Sequence, residues 1–296
     1  MLAQVVADVL GLMPADIRVI TEVDTAKDAW SIASGNYSSR FAPAVAGAAR
    51  LAAINLRDRL ARLAATHLNV PPAEVVFANR RIAARGNLDN SFPFARLAGI
   101  AHWAPCTVPT ELDQTIRETV FWTPPELAAL TEADEVNSSL CHGFIFDFCG
   151  VEIDATSGAV RVDRYVTMHD CGRILHPAMV AGQITGGFAQ ALGAALYEEY
   201  VYGEDGSFLS GSFVDYLVPT AMEVPEPEIL HRESPSPFTP HGAKGVGEGY
   251  CMSTPVCIAN AIADALSLDA IDLPATPVKL APHLRAPKPS PLTKAK

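Results

Sequence analysis

Four of the chain's 20 glycines fall within the eight residues 242–249, in the stretch HGAKGVGEGYC from His241 to Cys251. Glycine lacks the Cβ that keeps a neighbour at a distance and that disfavours positive φ. Such a density around one lysine, Lys244, and one carboxylate, Glu248, suits a loop whose backbone must approach something closely. Successive backbone N–H groups in such a loop can form an anion-binding nest, and a nearby helix N-terminus adds positive potential. A tight turn without a ligand has the same composition, so the pattern alone leaves both readings open. It is not a Walker A loop, because Lys244 lies in GAKG rather than before Ser or Thr at the end of the motif. A carboxylate fixed between Gly247 and Gly249, near bound anions or a metal, is placed as a general base.

Two further stretches carry candidate binding groups. His169-Asp-Cys-Gly-Arg-Ile-Leu-His-Pro177 closes a predicted strand and leads to Gly182-Gln183-Ile184-Thr185-Gly186-Gly187. A strand, a polar turn and a glycine-studded helix often receive a phosphate. For Cys171 and His176, simple packing is the preferred reading of the side chains. The His169–Asp170 pair has no local nucleophile beside it, so no proton relay is assigned. Ser34-Gly-Asn-Tyr-Ser-Ser-Arg40 brings hydroxyls, small residues and a guanidinium to a helix start, where they can bind phosphate. Alone, that stretch reads as an N-capping loop.

The elements that must position these residues are predicted from periodicity. Gln4, Val5, Val6, Val9 and Leu10 have helical spacing directly after Met1, with no capping residue. A chain that starts inside an amphipathic helix is expected to be a piece of something longer. Gly11 and Pro14 end that helix, and Ile17–Val23 reads as a strand. From Pro43 to about His67, apolar residues at 3–4 spacing predict an amphipathic helix. Residues 70–79 read as a helix end followed by a strand, and 80–137 as a long, Pro-rich surface excursion. Phe144–Ile153 and Ala159–Met168 flank the turn Asp154–Gly158 as a hairpin. Gly182–Tyr200 is predicted helical, and Tyr202–Phe208 a turn. Thr254 and Pro255 read as the N-cap and first residue of a last helix. These elements indicate an α+β fold with helices packed on mixed sheets, over residues 1–278. Residues 279–296, rich in Pro and Lys, are predicted to be a disordered tail.

Composition excludes several classes. Hydrophobic residues make up 49% and charged residues 19% of the 296, which fits a globular chain with a substantial core. A formal net charge of -11 argues against non-specific binding of nucleic acid or anionic lipid. No apolar run is long enough to span a bilayer. The N-terminus carries acids and lacks a basic region followed by an apolar core, so no signal peptide is predicted. Cytoplasmic, reduced thiols are therefore expected for Cys106, Cys141, Cys149, Cys171, Cys251 and Cys257. None forms a C-x-x-C pair, so no zinc or iron–sulfur site is predicted on this chain.

The three stretches together carry a resemblance. GAKGVGEGYCMSTPVCIANAIADAL and HDCGRILHPAMVAGQITGGFAQALGAAL resemble the C-terminal signatures of the large, molybdenum-binding subunit of the xanthine dehydrogenase/aldehyde oxidase family. GNYSSRFAPAVAGAA is similar to the glycine–serine–arginine loop of its carbon monoxide dehydrogenase-like branch. The resemblance runs from the first helix to about Pro277. It implies a second molybdopterin-binding domain and a molybdenum–molybdopterin cofactor, in bacteria commonly the cytosine dinucleotide form. In that family the metal is held by the pterin dithiolene and takes no direct protein ligand.

By this resemblance Lys244, Gly245, Val246 and Gly247 approach the molybdopterin. Glu248 takes the place of the catalytic base that deprotonates a Mo–OH for attack on an electrophilic carbon. Cys171, Gly172, Arg173 (within the stretch to Pro177) and Gln183 match the part that receives the dinucleotide. Ser38, Ser39 and Arg40 match another cofactor-side loop. His176 stands where the family usually has Asn. The hammerhead-like and first molybdenum-binding domains that precede this part in the family are expected on a missing N-terminal half. [2Fe–2S] and FAD centres are expected on partner subunits. The substrate would be a small molecule: an aldehyde, an N-heterocycle, an aromatic acyl thioester or carbon monoxide. The competing reading is a non-catalytic truncated domain that keeps the fold without the cofactor.

Overall fold

The 3–4 apolar repeat near the N-terminus folds as α2, Ala46–Leu68, entered through one wider, π-type turn at Phe41–Val45. Its buried stripe includes Ala53, Leu60, Leu63, Ala64 and Leu68, and it stops at Asn69 in the left-handed conformation. Asparagine adopts that conformation at helix ends more readily than most residues. In the computed structural model, residues 1–28, 39–112, 116–124, 126–137, 139 and 141–284 are described. They divide into two units: Met1–His142 with Pro235–Gly245, and Gly143–Ser234 with Val246–Lys296.

In the first unit, α1 (Leu2–Leu10) lies on α2 through Val9, Leu10 and Ala53. The strand expected after residue 70 is β1, Val75–Ala78. It opens an antiparallel meander with β2 (Arg81–Ala84) and β3 (Asn87–Pro93), followed by α3, Phe94–Trp103. Leu60, Leu68, Val75, Ile82, Leu97 and Ile100 from these elements share one buried cluster. The surface excursion predicted from residue 80 therefore begins only after α3. Strands of four residues give too few alternations to register as a period, and the turn at Arg85-Gly86 was the remaining signal. Ile17–Val23 is not a strand. Ile20 and Val23 are 67% and 62% exposed, and no described strand pairs with them. Apolar alternation supplies a pleated face but not the neighbour needed to satisfy its backbone.

In the second unit the predicted hairpin is present as β4 (Phe144–Ile153) and β5 (Val160–Asp170), antiparallel with a register shift between Gly150 and Val151. The connecting turn is organised by Asp154, whose Oδ1 accepts from the Thr156 N–H at 2.9 Å and the Ser157 N–H at 2.7 Å. A short strand, β6 (Glu228–His231), pairs parallel with β5, which makes the sheet mixed. The inner face is covered by α4 (Pro177–Leu196) and α5 (Tyr250–Leu266). Tyr165, Phe188, Leu192, Ile258 and Ile262 form the buried centre. The outer face presents Phe144, Phe146 and Phe148 at 56%, 56% and 70% exposure.

Four predicted boundaries move in this unit, one of them the end of the helix expected to reach Tyr200, which stops at Leu196. The helix expected from Gly182 starts at Pro177, because His176 caps it and proline suits a first helical position. The helix predicted from Thr254 starts at Tyr250, four residues before the predicted cap. Tyr250, Thr254, Ile258 and Ile262 repeat every four residues and are all fully buried. Burial of that stripe outweighs the backbone hydrogen bond lost at Pro255. Residues 279–284, expected in the tail, belong to α6, Pro277–Leu284, whose Leu280 is buried against the core and whose Lys279 pairs with Glu199 at 2.9 Å. The rest of the predicted tail, 285–296, lies outside the described residues.

Candidate active site

Glu248 is the exposed residue of the glycine-rich loop and has φ 60. A residue with a Cβ in that region costs about 1–3 kcal/mol and persists only where its surroundings hold it. Here they do. The Gly247–Gly249 turn runs into α5, with the Cys251 N–H donating to the Glu248 carbonyl at 3.1 Å. Tyr250, the first residue of α5, is fully buried in a cluster with Cys171, Val180 and Ile184, on which Ile145, Ile174 and Val246 pack. A Cβ on Gly187 would stand 3.3 Å from that of Tyr250, so the glycine lets α5 cross α4 closely. The carboxylate lies beside Cys251, whose thiol is pushed up by burial and then by the Glu248 charge.

The same cluster fixes the second candidate stretch. Cys171 is buried within it, so its side chain packs, as the sequence suggested. Gly172 has φ 65, and its N–H donates to Asp170 Oδ1 at 2.7 Å. That carboxylate also accepts from the Ser234 N–H at 3.2 Å and from the Ser234 hydroxyl. Arg173 is exposed. His176 Nδ1 accepts from the Met179 N–H at 3.2 Å, the role an Asn side chain plays at an N-cap. The first turns of α4 then expose Gln183 between Gly182 and Gly186, and a Cβ on either glycine would meet nothing within 4 Å. This is a low-relief face with one amide and room for a ligand.

Lys244 and Gly245 belong to the first unit, with Ser39 and Arg40. A Cβ on Gly245 would stand 2.7 Å from the Ser39 Cβ and 3.1 Å from its carbonyl oxygen, so the missing side chain allows the two segments to touch. Ser39 has φ 51, and Arg40 leads into the turn that starts α2. Lys244 is 8% exposed. The Cys141 thiol beside it is pushed up by burial, against the opposing pull of the Lys244 charge and a backbone hydrogen bond at Gly245. The segment is held on α2 by Arg50 Nε, which donates to the Pro240 carbonyl at 3.1 Å. Ser38 lies outside the described residues. Among the described residues no group of three or more His, Cys, Asp or Glu could hold a metal.

Residues 1–225 match the family model of a molybdopterin cofactor-binding domain. The chain belongs to this family. It is 33% identical over 282 residues to the nicotine 6-hydroxylase large subunit of Paenarthrobacter nicotinovorans, covering 94% of this chain and 33% of that protein. It is 30% identical over 263 residues to the carbon monoxide dehydrogenase large chain of Afipia carboxidovorans, covering 89% and 30%. The crystal structure of quinoline 2-oxidoreductase from Pseudomonas putida 86 superposes with a TM-score of 0.82 at 32% identity, over 97% of this chain and 35% of that one. The chain thus spans about a third of the length of the relatives it matches.

Sequence reasoning about this molybdopterin-binding domain missed two features. His231 on β6 faces His169 on β5, with their Nδ1 atoms 3.4 Å apart. No local motif pairs them, because the parallel register brings together residues from distant stretches. Asp147 was also missed. It sits on the inner face of β4, and both carboxylate oxygens are sealed from solvent with no partner of good geometry among the described residues. Its neighbours include Tyr165 and Tyr250. Burial pushes the Tyr250 hydroxyl up to about 12, with the Asp147 charge adding to it. The available signal was its place on the inward side of the 144–153 alternation, whereas the stretch's other acid, Glu152, falls on the exposed side.

Proposed function

We propose that this chain is the cofactor-bearing component of a molybdenum hydroxylase, with Glu248 as its catalytic base. The observation that carries the reading is the exposed Glu248 carboxylate on a left-handed backbone, in a loop anchored by the buried Tyr250. Backbone strain persisting at a polar, exposed residue is typical of functional sites. The residues of each unit, taken by itself, fit an anionic nucleotide. In the second unit Gln183 between two open glycines offers an amide on an exposed helix face, and in the first unit Ser39, Arg40 and Lys244 bring a hydroxyl and cationic groups. When bound, the molybdopterin, in its cytosine dinucleotide form, supplies the two-electron oxidation of the substrate carbon.

The chain's own residues bind, orient and move a proton. Glu248 accepts, on a carboxylate oxygen, the proton of the hydroxyl group that attacks the substrate carbon. Val246 and Gly247 bring main chain rather than side chain to the pterin. Gln183, Arg173 and the backbone at Cys171 and Gly172 hold the nucleotide portion. Cys171 and Gly172 contribute through backbone alone, since one side chain is buried and the other absent.

The substrate in this reading is a small carbon compound, one of an aldehyde, an N-heterocycle, an aromatic acyl thioester or carbon monoxide. Electrons pass to [2Fe–2S] and FAD centres on partner subunits in the cytoplasm. The exposed Phe144, Phe146 and Phe148 support a polypeptide partner, which in this reading is the N-terminal half of the large subunit.

Metal and nucleotide analysis of the complex purified with its partners tests the assignment of the binding loops. Arg40→Ala and Gln183→Ala should each lower molybdenum and cytosine content severalfold, while turnover per bound molybdenum changes little. Full molybdenum and cytosine content in both variants would remove these loops from the site.

A further inference from the structure

In the second unit both carboxylate oxygens of Asp147, Thr167 Oγ1, the Tyr250 hydroxyl and Ser253 Oγ are sealed from solvent, with no partner of good geometry among the described residues. They gather in one place. Asp147 on β4 and Thr167 on β5 are cross-strand partners, so their Cβ atoms share the inner face about 5 Å apart. Two contacts pin α5 over that face. A Cβ on Gly249 would stand 2.5 Å from Ile145 Cδ1 on β4, and Thr254 Oγ1 lies 2.8 Å from the Tyr165 hydroxyl on β5. A helical turn advances about 5.4 Å and two strand residues about 6.6 Å, so one turn of α5 matches one inward position of the sheet. Ser253, one turn on from Gly249, faces β4 where Asp147 is the next inward residue after Ile145. Tyr250, one turn before Thr254, faces β5 where Thr167 is the next inward residue after Tyr165. Thr167 and Tyr250 are both fully buried.

A carboxylate is among the costliest groups to seal from water without a counter-charge. A water molecule could pair the hydroxyls but would leave the charge unbalanced. The donor set selects the ion. All five atoms are hard oxygens, three of them neutral hydroxyls, with one negative charge among them. Transition metals favour imidazole and thiolate, and calcium sites bring more carboxylates. We propose that Asp147, Thr167, Tyr250 and Ser253 bind a monovalent alkali cation, sodium or potassium, between the sheet and α5. The ion ties the first turn of α5, which anchors the Glu248 loop, to β4 and β5. This assignment does not rest on the role given to Glu248.

Thermal melting of the full chain tests it, in sodium, potassium or tetramethylammonium chloride at one ionic strength and pH. Tetramethylammonium is too large for the site. The melting temperature should be higher in at least one alkali salt, rising by roughly 3 °C for each tenfold increase of that ion above its dissociation constant. Asp147→Asn keeps the shape without the charge and should lose the alkali effect. Thr167→Val removes one ligand, so the effect should need a higher concentration of the ion; this arm serves if the first variant folds poorly. Equal melting of the wild type in all three salts would mean a proton or a water at Asp147 and would overturn the proposal. So would an alkali effect of unchanged size and concentration dependence in either variant.

Discussion

Glu248 holds its carboxylate on a backbone conformation that glycine would adopt at little cost, between two residues that are glycine. Stability alone would favour glycine there, because the left-handed region costs a residue with a Cβ about 1–3 kcal/mol, only partly offset by glycine's extra unfolded-state entropy. Glu248→Gly should therefore raise stability slightly, by up to about 1 kcal/mol, read as a higher denaturant midpoint at unchanged slope. A clear loss of stability would mean that the side chain supports the loop. The glycine spacing was enough to single out Glu248 as a candidate in the sequence. Its φ was not legible, because it follows from how Tyr250 is buried and where α5 begins.

The elements that hold the loop are joined by one buried polar contact. The Tyr165 hydroxyl on β5 lies 2.8 Å from Thr254 Oγ1 on α5, and both residues are buried. The sequence cast Thr254 as a cap, since Thr-Pro ordinarily opens a helix. In the fold its hydroxyl anchors the helix interior to the sheet. Tyr165→Phe leaves a buried hydroxyl without its partner, which costs about 1–3 kcal/mol. Adding Thr254→Val should cost less than the sum of the two single changes, and a double-mutant cycle in denaturant measures the difference. Strict additivity would show that the contact does not anchor α5. The hairpin and α2 were legible because each repeats its period over ten residues or more. The β1–β3 meander and the start of α5 were not, since their strands are short and their boundaries depend on tertiary burial.

For the whole molecule, His169 links folding to acidity. Burial holds its imidazole below the ordinary value of about 6.5, and the charge of His231 adds to this, with a backbone contact and Asp170 acting the other way. As pH falls below about 6.5 the unfolded chain binds more protons than the folded one, so stability declines until the folded imidazole itself protonates. Above that range the stability is fully present. His169→Gln should flatten this limb of a melting-temperature profile, and an unchanged acid slope would place the dependence elsewhere. The family was legible in three glycine-bearing stretches. The substrate was not, because no motif of this chain selects one.

The proton-accepting role of Glu248 is tested most directly by Glu248→Gln in the complex assembled with its partners and cofactor. Gln is nearly isosteric and can still hydrogen-bond, so the loop and its molybdenum and pterin content should stay near wild type. It cannot accept the proton, and loss of a positioned general base lowers turnover about 10²–10⁴-fold. That combination, full cofactor with turnover reduced at least a hundredfold or so, is the predicted result. Turnover close to wild type at full cofactor content would contradict it.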